Sequence, residues 1–308
     1  MHVMHEYTST TPFDLFELHL LHLVAEHGSF TKVASLVGLT QSAITRQIQG
    51  MEARIGLPLL DRTTRQVRIT PAGDLLLRET RHIVGDIESS LRRLREEFGA
   101  APKVVRIGVS KTVGLAYLPG FFFANQRKFP EVALKVQHDA SSTILADLEA
   151  GRLDVAVVCP PEKLPESLLV RHRFDDAFTL IVPAALEVPT NITEASSGIW
   201  TQWLNAQSWL HIHEQSNTGR RLREWISKKG GRIQITNEAD NFDLIISLVA
   251  LGLGVSLVPQ RALANYPRKR AIRQIVLPER FTRSLVVLVR RSVRPVAHVE
   301  QFVETILF

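Results

Sequence analysis

The sequence predicts an all-α front, one long amphipathic helix, and an α/β back. Three observations carry that prediction. Apolar residues recur at helical spacing through most of the front of the chain. A short basic stretch with strand-like alternation interrupts them. Beyond Pro102, short β-branched runs alternate with helical patterns, the rhythm of parallel or mixed sheets covered by helices.

The 308 residues, 45% hydrophobic and 22% charged, are enough for two or three domains with cores of their own. No apolar run approaches the ~18 residues of a membrane span, so a membrane is not an expected partner. The opening "MHVMHEYTSTTP" has no apolar segment, and residues 1–12 are read as a flexible tail, not an export signal. The single cysteine, Cys159, excludes an internal disulfide framework and fits a reducing, cytoplasmic setting. Net charge is +6, yet residues 1–99 hold 11 Lys and Arg against 12 Asp and Glu, so bulk charge locates no nucleic-acid surface. Local charge does: residues 44–70 carry five Arg against two acids.

Phe13, Phe16, Leu20, Leu23 and Val24 mark the inward face of a helix over residues 13–27, and Gly28 stands at its C-cap. Thr31 is placed to cap a short second helix with Val33, Ala34 and Val37 inward. Gly38 breaks it, and Thr40 caps a third. There Ile44, Ile48, Met51 and Ile55 form one buried face, which turns Ser42, Thr45, Arg46 and Gln49 outward, with Gln41 at the first turn. Hydrogen-bonding groups bunched at a helix start suit a recognition helix entering the major groove, Arg46 for guanine or phosphate and Gln41 for adenine. A solvated face on an ordinary bundle is the competing reading of the pair alone.

The neighbouring residues favour DNA. In "LLDRTTRQVRIT", Val67 and Ile69 alternate with Gln66 and Arg68 as in a strand, and Arg62, Arg65 and Arg68 make a basic hairpin suited to lie along phosphates. With Thr31, these residues complete the expected DNA-contact set. Thr70 and Pro71 offer an N-cap and first helical position. A long helix then runs over residues 72–98, with Leu76, Ile83, Ile87, Leu91, Leu94 and Phe98 along one stripe that a second copy would bury; packing on its own domain is the alternative.

The order of helix pair, "QSAITRQI", "LLDRTTRQVRITPAG" and long helix resembles the LysR-type transcriptional regulators. Two positions depart from the family pattern: "LLDR" stands where "LFER" is common, and Pro71 where glutamate is frequent. The resemblance implies a winged helix-turn-helix domain at 13–70 and a linker or dimerisation helix at 71–99. Behind them it implies a periplasmic-binding-protein-like (type 2) effector domain at 103–308. Motif positions imply Gln41, Ser42, Thr45, Arg46 and Arg65 as DNA contacts. It further implies a homotetramer on a partly palindromic site, with RNA polymerase a further candidate partner.

In the back, "VVRIGV", "LDVAVVC", "FTLIVP", "GVSLVP" and "SLVVLV" read as strands buried on both faces. No glycine-rich dinucleotide fingerprint, phosphate loop or nucleophile elbow is present, so no cofactor is expected. Ligands of open α/β sheets collect beyond the carboxyl ends of strands. Three such ends are rich in hydroxyl or amide groups: Ser110, Lys111 and Thr112; Ser141 and Ser142; Ser216, Asn217 and Thr218. Each could simply cap its helix. Together they point to a pocket for a small anion, with Lys111 adding the charge preference. The family layout implies subdomain I at 103–159 and 266–308 and subdomain II at 160–265, with hinges at "CPPEKLP" and "NYPRKR". His19 and His22, or His211 and His213, have spacings a metal could use, but no cysteine or carboxylate partner is fixed beside them, and structural histidines are expected. Cys159 is read as a small buried hydrophobe, and the tryptophans Trp200, Trp203, Trp209 and Trp225 as core. The competing function is a small-molecule enzyme built on the same kind of cleft; a solute carrier is disfavoured by the absence of an export signal.

Overall fold

The computed structural model describes residues 12–63, 66–99, 101–189, 198–228, 231–264, 266–267, 269–277 and 279–305. The chain forms two compact units, Met1–Ser90 and Leu91–Phe308.

In the first unit, α1 (Leu15–His27), α2 (Phe30–Val37) and α3 (Gln41–Ile55) precede a hairpin of β1 (Leu60–Thr63) and β2 (Gln66–Ile69). Helix α4 (Pro71–Phe98) comes next, and Thr70 caps it by accepting from the Gly73 amide at 3.1 Å. The first helix starts later than expected because Asp14 and Glu17 form a capping box there. Its inward face is Leu18, Leu20, Leu21 and Val24, whereas Phe16 is 45% exposed. The second helix is capped by Ser29, not Thr31, because the αL glycine at 28 places the extended residue directly after it. Gly38, at φ 70, makes the turn between α2 and α3, and Thr40 caps α3 as expected. Ile44, Ile48 and Met51 are fully buried among Leu18, Leu21 and Val33.

The second unit comprises β3 (Lys103–Ser110), α5 (Gly114–Lys128), β4 (Val132–Asp139), α6 (Ser141–Glu149), β5 (Val155–Val158), β6 (Leu168–Pro183), α7 (Gly198–Asn205), β7 (Ser208–Ile212), α8 (Asn217–Lys228), β8 (Gln234–Ala239), α9 (Phe242–Ala250), β9 (Ser256–Pro259), β10 (Ile272–Ile275), β11 (Thr282–Arg290) and α10 (Ala297–Thr305). Among the described residues, β10, β6, β11, β5, β3 and β4 lie in that order in one sheet, with β9 also on β6. β7 and β8 pair in parallel beside it.

Strand β6 is long enough to serve two cores. Its first part pairs with β11 as far as Ala177, and its second with β9 and β10 from Phe178 onward. One core gathers residues from Phe178 to Phe281; others hold Ile107, Val157, Val287 and Phe302, and Ile144, Leu148 and Val286. The passages between subdomains therefore fall at 177/178 and 281/282, later than the expected 159/160 and 265/266. The physical reason is strand continuity: a run of sixteen residues keeps its ladder while its facing helices change. The last turns of α4 pack within this unit, where Arg92 binds Asp154 at 3.0 Å and Glu96 lies 3.6 Å from Arg106.

Candidate functional site

The α2–α3 pair presents a polar edge at the start of α3. Gln41, Ser42, Arg46 and Gln49 are exposed and Thr45 half-exposed. They are ordered by local bonds: Thr31 donates to Gln41 Oε1 at 3.3 Å, Arg46 Nε to the Ser42 carbonyl at 3.3 Å, and the hydroxyls of Thr40 and Ser42 are 3.1 Å apart. Beneath them Glu52 accepts from the amides of Leu59 and Leu60 at 2.8 and 3.0 Å, which anchors the hairpin to α3. In the hairpin Arg62 stands opposite Val67, and the exposed Arg68 opposite Asp61. Arg65 and the Arg62 side chain lie outside the described residues. The arrangement exposes hydrogen-bonding groups of both kinds along one helix end, beside an antiparallel hairpin.

In the second unit, the strand-end residues gather where the two subdomains face each other. Lys111 Nζ binds Asp240 at 2.8 Å. That pairing raises the Lys111 ammonium above its ordinary value and lowers the Asp240 carboxyl, in each case chiefly through their shared hydrogen bond. Asn217 donates to the Cys159 carbonyl at 3.1 Å, and the hydroxyls of Thr112 and Thr218 are 3.4 Å apart. Ser110 is buried, and its hydroxyl has no hydrogen-bond partner among the described residues. Ser141 and Ser142 open α6 directly after β4, whose Asp139 is the parallel partner of Ser110. Capping accounts for Ser216, whose hydroxyl accepts from the Gly219 amide at 2.9 Å. It does not account for Ser141, since α6 starts from Ala140.

Sequence reading missed the centre of this place. Arg283 and Asp176 form a fully buried ion pair, with Nε and Nη2 at 2.9 and 2.7 Å from one carboxylate oxygen. Arg283 also donates to the Thr218 hydroxyl at 2.8 Å and the Thr112 carbonyl at 2.9 Å, and its guanidinium lies 5.2 Å from the Phe178 ring centre. Burial, with Asp176 beside it, pushes the Tyr117 phenol up, so that hydroxyl stays protonated. The signal was available: an arginine stands directly ahead of "SLVVLV" and an aspartate two residues ahead of "FTLIVP", each at the edge of an apolar strand run, and buried charges come in pairs.

Family comparison decides what this combination of parts is. A model described as bacterial regulatory helix-turn-helix protein, lysR family, matches residues 15–74, and one for the LysR substrate binding domain matches residues 99–307. The chain belongs to the LysR family. A probable RuBisCO transcriptional regulator of Cyanidioschyzon merolae is 26% identical over 270 residues, covering 86% of this chain and 87% of the relative. A probable hydrogen peroxide-inducible genes activator of Streptomyces viridosporus is 29% identical over 254 residues, covering 81% and 78%. The fold is similar to full-length OxyR from Pseudomonas aeruginosa, at TM-score 0.69 with 19% identity and 95% of each chain covered. It is also similar to full-length CbnR complexed with its target DNA, at TM-score 0.61, 19% identity, and coverage of 95% of this chain and 99% of that one. This LysR-type protein is thus a DNA-binding transcriptional regulator with an effector-binding domain, and the enzyme alternative is set aside. Among the described residues, no helix is long and apolar enough to cross a membrane.

Proposed function

We propose that this regulator reads a partly palindromic double-stranded site as a dimer, and that a small anionic effector in the α/β cleft adjusts its grip. Gln41, Ser42, Thr45, Arg46 and Gln49 face base edges and nearby phosphates, with Thr31 supporting Gln41, while Arg62, Arg65 and Arg68 track the backbone. The long helix pairs with its copy: Ile87, Leu91, Leu94 and Phe98 are 38 to 79% exposed in the single chain, an apolar stripe that a second helix would cover. The tetramer, contact with RNA polymerase and a cytoplasmic setting rest on membership of the family.

For the effector the supporting observation is Ser110. A buried hydroxyl without a partner among the described residues, beside Lys111 and the start of α6, leaves hydrogen-bonding capacity for a ligand oxygen. Ser141, Ser142 and Asn217 border the same strand ends, and a carboxylate fits this donor set. Tryptophan fluorescence of the full chain, titrated with small carboxylates, amino acids and aromatic acids, tests the reading. A saturable response lost in Ser110→Ala supports it. A saturable response indifferent to Ser110→Ala and Lys111→Gln removes this cleft as the effector site.

A further inference from the structure

We propose that the second subdomain carries a divalent-metal site made by His211, Glu214 and Glu238. Strands β7 and β8 run in parallel with His211 directly opposite Glu238, and Glu214 comes just beyond the end of β7. One ligand atom from each residue lies within 4.8 Å of the other two. Sequence spacing alone had left these histidines without a carboxylate partner; strand pairing brings Glu238 to His211.

The histidine itself points to a ligand. His211 is 1% exposed, and its Nδ1 stands 2.6 Å from the Ile212 carbonyl. A carbonyl can only accept, so Nδ1 carries the hydrogen and Nε2 keeps its lone pair. That Nε2 is buried with no hydrogen-bond partner among the described residues. A ring held through one nitrogen by backbone, with the other bare and two carboxylates within reach of the ring, is the arrangement of a metal-ligating imidazole. A satisfied core histidine would have both nitrogens occupied.

One imidazole and two carboxylates select a first-row ion such as Zn²⁺ over Mg²⁺, with water completing the coordination. Bonds of about 2 Å put tetrahedral ligand atoms roughly 3.3 Å apart, so the two glutamates must swing inward. Glu238 is exposed and the Glu214 side chain is 42% exposed, so rotamer changes suffice. Glu214 pairs with Arg223, which makes Arg223 the competitor that an ion displaces. An open concavity lined by Glu214, Arg220, Arg223 and Glu224 gives solvent access to that carboxylate. The ion would tie β7 and β8 to the turn leading into α8, whose first residues are Asn217 and Thr218.

The test is calorimetric titration of the tag-free full chain with Zn²⁺, with Mg²⁺ as contrast. The expected result is one saturable Zn²⁺ site, weakened at least about tenfold by Glu238→Gln and tightened by Arg223→Gln. Replacing His211 risks the fold, so these two surface substitutions carry the test, with unchanged unfolding midpoints as their control. Wild-type affinity and stoichiometry in Glu238→Gln, or no saturable Zn²⁺ binding at all, would overturn the site.

Discussion

Arg283 on β11 is the strand partner of Asp176 on β6, one position from where both strands pass between subdomains. The pair is fully buried, and the same guanidinium holds Thr112 by its carbonyl and Thr218 by its hydroxyl. One side chain therefore ties both walls of the cleft to the crossing itself. Because the charge is matched by Asp176, it holds the cleft together more than it attracts an anion.

Removing one partner leaves the other charged and buried. Arg283→Met is expected to cost about 3–5 kcal/mol, and Arg283→Met with Asp176→Leu to recover most of it. Urea unfolding followed by tryptophan fluorescence measures both. A single-variant loss below about 1 kcal/mol, the range of surface pairs, would deny the pair its structural role.

The DNA-facing residues divide by what they read. Arg46→Ala is expected to abolish preference for the operator over random duplex, and Arg65→Ala to weaken binding to both while reducing the salt slope by about 1. Binding isotherms at several salt concentrations separate the outcomes. An unchanged operator preference in Arg46→Ala would remove that residue from base recognition.

Close approach makes Gly219 irreplaceable in its setting. A Cβ there would meet the His213 and Ile212 carbonyl oxygens at 2.3 and 2.7 Å, so α8 must move outward from the end of β7. Gly219→Ala is expected to cost about 1–3 kcal/mol and to blunt any effector response, since Thr218 moves with the helix. Thermal unfolding alongside the fluorescence titration checks both.

Arg171 reaches Glu300 at 2.6 Å and Glu304 at 2.5 Å, joining β6 to α10. Its hydrogen bond holds the Glu300 carboxyl below the ordinary 4.5. A depressed folded value means stability that is present above pH 4.5 and lost as pH falls through the folded value. Both partners are partly exposed, so Arg171→Met should cost no more than about 1 kcal/mol at neutral pH. The gap between the two proteins should narrow progressively as unfolding curves are taken further below pH 4.5 and close once the folded Glu300 is protonated; a gap that does not narrow would mean packing, not charge, is what Arg171 supplies.

The front of the chain was legible because its determinants are local. Thr40 and Thr70 cap the helices the sequence assigned to them, and Ile44, Ile48 and Met51 are buried as their spacing required. Misreadings there were small shifts: Ser29 in place of Thr31 as cap, and Leu18 and Leu21 in place of Phe16 on the inward face. In the back, alternating strands and helices were plain, but "FTLIVP" read as a strand of its own, and nothing local joins it to the charged stretch before it as one strand serving two cores.

By itself the sequence determined the helix pair, its polar leading edge, the basic hairpin, and the alternation that makes the back α/β. Those features depend on residues three or four apart, or on the alternation within one strand. Only the tertiary structure decided the crossings, the Arg283–Asp176 pair and the meeting of His211 with Glu238. Arg283 and Asp176 are 107 residues apart, and no local pattern records which strand will lie beside which. Their pairing depends on sheet order, which is settled when the cores pack and buried charges must find partners.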